Sequence, residues 1–333
     1  MTKAVMPSVG VVIANYNNEA YVAHAIESVA RQTARDMRVV VVDNCSTDDS
    51  DLVIKQTLHQ LDDRRFHYVR NGSNLGQAGA IRCGLQLLDS PFVCFLDSDD
   101  YLYEDFVVRH VSAHLNADFP VALTFCDSHV IDAAGRLIAG TAWWFDYQDE
   151  KTPSRVLNSV HVPTVDAETG EVLFERTGMA TLHSTWSPNQ ASNSMASMML
   201  RRAFVDLVLV AADDDLRLYV DFYLSTFAAL LTGTISLADA LYAYRMHGAN
   251  NHSDGTVPGG QYSSSSKRWE PIRNSIWRLV LRVLEREAES LQRAFGVYRV
   301  EQAQLQLRHA LRSLAGERAF RSRTKLQEFL SGL

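Results

Sequence analysis

The stretch SVGVVIANYNNEAYVAHAIESVA, residues 8–30, indicates the fold of the chain. It begins with a β-branched run typical of a strand and continues with apolar residues at helical spacing. The run MRVVVV at 37–42 has the unbroken apolar character of a strand buried on both faces of a parallel sheet. Two more strands are predicted at 66–70 and 91–96. These units predict an α/β, Rossmann-like fold with a mostly parallel, twisted sheet flanked by helices.

Composition and charge exclude several classes of protein. Of the 333 residues, 47% are hydrophobic and 21% are charged, as in soluble globular proteins. The net charge of −7 argues against a nucleic acid partner, which needs a positive surface. The four cysteines have no CxxC spacing, so a reducing, cytoplasmic location is favoured over a disulfide scaffold or a zinc site.

Polar clusters follow three of the predicted strands, at 15–19, 43–48 and 97–100. In doubly wound sheets, ligands bind beyond the carboxyl ends of the strands. The last cluster belongs to FLDSDD, which places three aspartates where a buried strand ends. Crowded carboxylates raise one another's pKa unless a cation joins them, and oxygen ligands of this kind suit Mg²⁺ or Mn²⁺. An acidic loop that only caps the strand is the alternative.

Four longer motifs occur in a fixed order along the chain. They are IANYNNEAYVAHAIESVARQT (13–33), VVVDNCSTDDS (40–50), NLGQAGAIRCGL (74–85) and FLDSDDYL (95–102). Together these motifs strongly resemble family 2 glycosyltransferases of the GT-A fold. The resemblance continues more loosely to residue 252 and stops before the C-terminal segment.

The resemblance implies a domain organisation. We expect a GT-A domain over 1–250, with a nucleotide-sugar half (1–120) and an acceptor half (121–250), then a flexible linker (251–266). The C-terminal region, 267–333, carries 14 Lys and Arg against 7 Asp and Glu, a net charge of +7. Its helically spaced apolar residues predict amphipathic helices that contact an anionic membrane surface or a second copy of the chain. A helical cap with solvated arginines is the alternative.

The resemblance also implies a binding site for a nucleotide-diphosphate sugar. The positions that match are Ala14, Asn15, Tyr16, Asn17, Asp43, Asn44, Asn74, Gly76, Arg82, Asp97 and Ser98. The Tyr16 ring is expected at the base. Where the family often has two aspartates, this chain has Asp43 and Asn44. The Asn carbonyl can still accept a hydrogen bond from a uracil imide, so a UDP-sugar is favoured and a dTDP-sugar stays open. Arg82 is shifted by one place from the family's arginine, and a solvated helix position is its alternative.

A divalent metal, Mn²⁺ or Mg²⁺, is implied beside the diphosphate. Asp97 and Asp99 match the family's Asp-x-Asp, whose last aspartate is usually the direct ligand. His247 follows a predicted strand, where some relatives place a further ligand, and a structural histidine is the alternative. Asp100 competes with Asp99, because an adjacent carboxylate can rotate into the same site.

A general base is implied at the start of a helix predicted at 220–231. Asp221 matches the family's aspartate, although Val220 replaces its usual acidic neighbour. Asp214 and Asp215 are the alternative bases, but a run of aspartates is usually a solvated turn.

The stretch from roughly 140 to 190 has no sustained period and is interpreted as a substrate-facing insertion. Its aromatic residues are expected to stack on acceptor sugars or to pack a second layer of the domain. They are Trp143, Trp144, Phe145, Tyr147 and Trp186.

The family's chemistry implies an inverting glycosyltransferase for bacterial surface polysaccharide or glycoconjugate synthesis. The acceptor would be a glycan or lipid-linked glycan, met in the cytoplasm or peripherally on the inner face of the membrane. Two alternatives stay open. One is a nucleotidyltransferase or phosphatase, although ANYNN and DSDDY depart from the motifs of both. The other is a non-catalytic protein that binds nucleotide sugars, which the changed positions Asn44, Ile81 and Val220 suggest.

Overall fold

The structure, a computed structural model, describes residues 6–117, 120–140, 154–165, 172–188, 194–209, 216–250 and 266–313. Internal contacts divide the chain into two compact units, residues 1–265 and 266–333. The first unit is built around a sheet of eleven strands. The described part of the second unit is helical.

The strands are β1 (Val9–Asn15), β2 (Met37–Asp43), β3 (Phe66–Arg70), β4 (Phe92–Asp97), β5 (Tyr101–Leu102), β6 (Leu123–Asp132), β7 (Leu137–Ala139), β8 (Ser154–Val165), β9 (Val172–His183), β10 (Met198–Arg201) and β11 (Thr234–Met246). Their order across the sheet is β3-β2-β1-β4-β10-β6-β11-β9-β8, with β5 paired to β11 and β7 paired to β6.

The helices of the first unit are α1 (Val22–Ala30), α2 (Ser50–Leu61), α3 (Gly76–Leu85), α4 (Phe106–Asn116), α5 (Arg202–Leu209) and α6 (Val220–Leu231). The second unit contains α7 (Ser266–Arg286), α8 (Ala288–Phe295) and a further helix at 297–313.

The N-terminal half of the sheet is parallel. β1 pairs in parallel with β2 and β4, and β2 pairs in parallel with β3. Val11 and Ile13 belong to the same core cluster as Ile26 of α1, while Val12 lies directly under Gly84 of α3. Helices therefore cover both faces of β1, which explains its unbroken apolar sequence. The predicted α/β fold is confirmed.

The second half of the sheet is mixed. β10 runs antiparallel to both β4 and β6, and β6 and β11 run parallel to each other. The two strands predicted at 234–237 and 241–246 are one strand, β11, with irregular register between Leu237 and Tyr242. The stretch interpreted as irregular contains an antiparallel hairpin, β8 with β9. Residues 141–153 lie outside the described residues.

Apolar side chains of the second unit are buried. α7 buries Trp277, Val280 and Val283, and the helix at 297–313 buries Val300 and Leu307. The spacing of these residues places them on one face of each helix. Across the described ranges, none of the helices combines the length and the apolar composition needed to cross a membrane. The predicted linker at 251–266 lies, but for its last residue, outside the described residues.

Candidate functional site

The loops that carry the predicted site meet at one edge of the sheet. β1, β2 and β4 run in the same direction, and their register places Asn15 beside Asp43 and Ala14 beside Asp97. Because these strands end together, the loops that follow them are neighbours. The structure therefore places the loops that begin at Asn15, Asp43 and Asp97 side by side.

The loop after β1 is fixed by the loop after β2. Asn15 is buried, and its Nδ2 donates to Oγ of Ser46 over 3.1 Å. Asn17 has a left-handed φ of 54°, and its Oδ1 accepts the backbone N–H of Thr47 over 2.8 Å. Between these anchors, Tyr16 leaves 44% of its surface exposed. A rigid loop with an accessible aromatic ring can form a platform for a nucleotide base.

Asp43 joins three segments of the chain. Its carboxylate is fully buried and accepts Nδ2 of Asn15 over 3.1 Å and the backbone N–H of Ser46 over 3.3 Å. Nε of Arg70, from the end of β3, lies 3.1 Å from the same carboxylate. A buried carboxylate is stabilised when hydrogen bonds and an opposite charge surround it. Asp43 therefore stabilises the conformation of the loops after β1 and β2.

Asn44 shapes the loop before α3. Its carbonyl oxygen accepts Nδ2 of Asn71 over 3.0 Å and the backbone N–H of Leu75 over 3.1 Å. Its Nδ2 donates to Oδ1 of Asn74 over 3.0 Å and to the carbonyl of Gly76 over 3.1 Å. All of its hydrogen-bonding capacity is used within the protein. A uracil imide that reached Asn44 would replace one of these bonds.

Gly76 allows close contact between two distant segments. Its φ is +73°, and a Cβ at this position would lie 2.8 Å from the carbonyl oxygen of Arg217. The same carbonyl accepts the N–H of Ala78 over 3.3 Å, and Nη2 of Arg217 donates to the carbonyl of Asn74 over 3.0 Å. The start of α3 therefore supports the segment that leads into α6.

Arg82 lies on the wall of a cavity beside α3. Its Nη2 donates to the carbonyl of Leu209 over 3.2 Å. The cavity has a volume of about 540 Å³, and α3, the loop before it and the segment before α6 contribute its walls. The other lining residues are Asn71, Leu75, Gly79, Cys83, Gln86, Leu216 and Arg217.

The acidic loop after β4 is tied to its neighbours by amide side chains. Nε2 of Gln77 donates to Oδ1 of Asp97 over 3.0 Å. Nδ2 of Asn18 donates to Oγ of the buried Ser98 over 2.9 Å. These two bonds connect the acidic loop to α3 and to the loop after β1.

Asp99 and Asp100 have different surroundings. Oδ2 of Asp99 lies 3.0 Å from Nε2 of His247, and the two side chains are 19% and 9% exposed. Asp100 is buried, and its Oδ1 accepts the backbone N–H of Arg245 over 2.8 Å. Burial and the nearby charge of Asp99 hold the pKa of Asp100 well above its usual range. Of the two, Asp99 is the carboxylate placed beside the histidine.

The carboxylates of this loop repel one another. Burial, followed by the charge of Asp99, raises the pKa of Asp97 to about 7, and the charge of Asp221 adds to the effect. A divalent cation would relieve this repulsion. No three His, Cys, Asp or Glu side chains of the described ranges form a metal cage. Asp99 and His247 nevertheless fit Mg²⁺ or Mn²⁺, because such ions often take few protein ligands and complete their coordination with phosphate oxygens and water.

Asp221 lies in the first turn of α6. Burial raises the pKa of its carboxyl to about 6, although the backbone N–H groups of Asp221 and Phe222 act in the opposite direction. The backbone N–H of Val220 points to Oε1 of Gln77 at 3.4 Å. Gln77 thus bridges Asp97 and the start of α6. The alternative bases, Asp214 and Asp215, lie outside the described residues.

Most of the aromatic residues expected to stack on acceptor sugars lie outside the described residues. These are Trp143, Trp144, Phe145 and Tyr147. Trp186 is described and is partly buried. The expected stacking surface therefore stays a prediction.

The fold is that of the GT-A glycosyltransferases, and the sequence is similar to those of glycosyltransferases. Residues 10–164 match the family model described as Glycosyl transferase family 2. The match covers just under half of the chain and agrees with the resemblance that the motifs of the first hundred residues carry.

Known proteins similar to this chain extend the comparison. An uncharacterized glycosyltransferase from Nostoc sp. is 27% identical over 78% of this chain and 71% of its own length. The UDP-Glc:α-D-GlcNAc-diphosphoundecaprenol β-1,3-glucosyltransferase WfaP from Escherichia coli is 33% identical, but over only 29% of this chain and 37% of its own length.

A solved structure shares the fold. It is the mannosyltransferase PcManGT from Pyrobaculum calidifontis, in complex with GDP-Man and Mn²⁺. The TM-score is 0.50 at 14% sequence identity, over 94% of this chain and 78% of that chain. At this identity the likeness concerns the fold alone.

Three residues of the site were missed by sequence reasoning. Asn18 and Gln77 lie inside the quoted motifs, and Arg245 precedes the predicted ligand His247 by two places. Their partners are distant in sequence, so no local pattern identifies them. The one available signal was an arginine within the apolar run 241–246, because a charge in a buried strand needs a partner.

Proposed function

We propose that this chain transfers a sugar from a nucleotide-diphosphate sugar to a hydroxyl of a glycan or lipid-linked glycan, with inversion at the anomeric carbon. A UDP-sugar is the favoured donor and a dTDP-sugar is the alternative. A divalent metal, Mn²⁺ or Mg²⁺, and Asp221 as general base complete the reaction. The product would enter a bacterial surface polysaccharide or glycoconjugate.

One observation carries the proposal. Gln77 donates to Asp97 over 3.0 Å, and its Oε1 lies 3.4 Å from the backbone N–H of Val220, next to Asp221, so the candidate base lies close to the acidic loop. A carboxylate that takes a proton and a carboxylate pair that binds a cation are the two parts that an inverting displacement needs. Their convergence at the carboxyl ends of the strands supports transfer more than simple binding.

Asp221 is suited to removing the proton of the attacking hydroxyl. A pKa of about 6 leaves the carboxylate mostly charged at neutral pH and makes it a stronger base than an ordinary aspartate. As the hydroxyl oxygen bonds to the anomeric carbon, its proton passes to Asp221 and the bond to the diphosphate oxygen breaks. No covalent bond to the protein is needed, so the configuration inverts.

The acidic loop is suited to holding the departing diphosphate. Asp99 and His247 would bind the metal, with Asp97 beside them. The bound ion supplies a Lewis acid that offsets the charge developing on the diphosphate. Since that charge is offset, the leaving group needs no protein acid. The exposed Tyr16 ring and the rigid loop around it would hold the base.

The comparisons support the donor and acceptor classes. WfaP is named for a UDP-glucose donor and a diphosphoundecaprenol-linked acceptor. PcManGT binds a nucleotide sugar together with Mn²⁺. These are properties of the relatives, and for this chain they direct the choice of substrates to test.

The test is a thermal-shift panel of UDP-, dTDP- and GDP-sugars, each with and without Mn²⁺, followed by a transfer assay with the stabilising donor. A ligand that binds only the folded state raises the melting temperature by mass action. The expected result is the largest rise with a UDP-sugar and Mn²⁺, together with turnover. If the donor stabilises the protein but neither transfer nor slow hydrolysis of the donor is detected, the non-catalytic alternative is favoured.

The basic C-terminal region is proposed to hold the enzyme at the inner face of the membrane, near a lipid-linked acceptor. Residues 1–250 would form the transferase domain and 251–266 the linker. The exposed Arg278 and Arg282 are spaced by one helical turn on α7. The double variant Arg278→Glu, Arg282→Glu should reduce pelleting with anionic liposomes. Unchanged pelleting would exclude the membrane role and leave self-association, measured by sedimentation, or a helical cap with solvated arginines.

A further inference from the structure

Arg245 is an almost fully buried arginine at the edge of the sheet that carries the site. It lies near the end of β11 with only 4% of its surface exposed. A buried guanidinium needs partners for its donors, since an unsatisfied charge away from water is costly. The partners that this arginine uses decide what it does.

The guanidinium donates to backbone carbonyls from two different loops. Nε donates to the carbonyl oxygen of Asp99 over 2.8 Å. Nη1 lies 3.4 Å and 3.3 Å from the carbonyl oxygens of Asp132, the last residue of β6, and Ala133, in the turn that follows. Nη2 lies 3.3 Å from Nδ1 of His24 on α1. The planar fork of one arginine therefore joins the acidic loop, α1 and β6.

Aromatic rings enclose the same group. The guanidinium carbon lies 4.8 Å from the centre of the Tyr21 ring and 5.9 Å from that of Tyr101. The Tyr101 ring stacks on His24 at 4.2 Å between ring centres. Cation–π contacts of this kind are favourable and hold the guanidinium plane in one orientation. Little freedom is left to the side chain.

The backbone of Arg245 holds the other end of the acidic turn. Its N–H donates to Oδ1 of Asp100 over 2.8 Å, while its carbonyl accepts Nδ2 of Asn250 over 2.7 Å. Oδ1 of Asn250 in turn accepts the backbone N–H of His247 over 2.9 Å. The residue is thus bonded to the main chain of Asp99, to the carboxylate of Asp100 and, through Asn250, to His247.

We infer that Arg245 is a positioning residue for the metal site: it fixes the main chain of Asp99 so that the carboxylate faces His247. The inference rests on the proposed function, because it gives Asp99 and His247 their role as ligands. Groups that orient metal ligands without touching the ion typically account for about 10- to 100-fold in metal affinity. Lysine cannot replace this arginine, because an ammonium group lacks the planar fork.

The test measures Mn²⁺ binding to the full chain directly, by electron paramagnetic resonance of free Mn²⁺ in the presence of UDP. Arg245→Lys should weaken Mn²⁺ binding by about 10- to 100-fold, while UDP affinity without metal stays within about twofold, because the base platform is a separate set of contacts. Arg109→Lys is the matched control. Arg109 is a nearly buried arginine of α4, paired with Asp239 on the same strand β11, and its variant should bind Mn²⁺ like the wild type.

The outcomes separate the possible failures. If both variants lose thermal stability and Arg245→Lys binds Mn²⁺ as the wild type does, Arg245 is structural only and the inference is overturned. Absence of Mn²⁺ binding by the wild type would overturn the metal site and the inference together. If Arg245→Lys does not fold, His24→Leu decides, because it removes one partner of the guanidinium without touching Asp99 or His247. It should weaken Mn²⁺ binding, and unchanged binding would contradict the inference.

Discussion

The loops after β1, β2 and β4 lie at the same edge of the sheet. The polar groups of the first two loops differ from those of the third in their hydrogen bonding and in the charges near them. Asn15, Asp43 and Asn44 are buried, and they are bonded to one another or to neighbouring side chains and main chain. Asp97 and Asp99 instead lie close enough for the charge of one to raise the pKa of the other. The polar groups of the first region are bonded almost entirely within the protein, with Oδ1 of Asn15 as the exception, whereas a cation would relieve the repulsion in the second.

This difference predicts where substitutions act. Substitutions in the loops after β1 and β2 should disturb the geometry of these loops and so lower stability and donor affinity. Substitutions of the aspartates in the loop after β4 should lower turnover. In metal-free protein they should raise stability, as is common where function needs a strained site.

The largest effect is expected for Asp221→Asn. This variant keeps the shape of the first turn of α6 but cannot accept a proton, so kcat should fall by about 10²- to 10⁴-fold. The KM for the donor should change little. Steady-state kinetics with a UDP-sugar measures both. Asp215→Asn is the control for the alternative base, and full activity of Asp221→Asn with loss of activity in Asp215→Asn would reassign the base.

Asp99→Asn should lower kcat by about 10²- to 10³-fold, because it weakens the stabilisation of charge on the diphosphate. The same change should raise the melting temperature of metal-free protein, because it removes the charge that acts on Asp97. Activity assays and differential scanning calorimetry in EDTA measure the two effects. Asp206→Asn serves as control, since its carboxylate is 48% exposed and paired with Arg202. A lower melting temperature for Asp99→Asn than for this control would contradict the repulsion between Asp97 and Asp99.

The pH dependence follows from Asp221. Its pKa of about 6 means that the active, unprotonated base forms as the pH rises through 6. Log kcat should therefore rise by about one unit per pH unit below 6 and level off above about 7. A pH–rate profile at saturating donor and metal measures this. A profile that stays flat between pH 5 and 7 would exclude Asp221 as the base.

Asn44→Asp should have the smallest effect on turnover and should act on stability. A carboxylate cannot donate to Asn74 and Gly76, so two part-buried hydrogen bonds are lost at a cost of about 0.5–1.5 kcal/mol each. The melting temperature should fall by several degrees and the donor KM should rise. Thermal unfolding and kinetics with UDP- and dTDP-sugars measure this. An unchanged melting temperature would show that Asn44 is not the support of the 71–76 loop.

The two halves of the sheet differ in how much of their structure could be predicted from the sequence. The N-terminal half could be predicted because each strand and helix has its own period, and the motif aspartates follow β4 directly. β11 looked like two strands because Ala238, Asp239 and Ala240 interrupt the apolar run, and Asp239 is held by Arg109 from α4. That contact joins residues 130 positions apart.

The same limit applies to the site. The positions of Asp97, Asp99 and Asp221 followed from motifs, but the roles of Gln77 and Arg245 depend on partners about 20 and 146 positions away. The sequence could not predict either that the side chain of Asn44 makes four hydrogen bonds within the protein. A motif gives the type of side chain present, whereas its remaining hydrogen-bonding capacity depends on the folded chain.

The most direct test of the central claim is the affinity for UDP, measured by isothermal titration calorimetry with and without Mn²⁺, in the wild type and in Asp99→Asn. If the acidic loop holds a cation that binds the diphosphate, Mn²⁺ should tighten UDP binding by at least about tenfold in the wild type and have little effect in the variant. Equal UDP affinity with and without Mn²⁺ in the wild type would contradict the account.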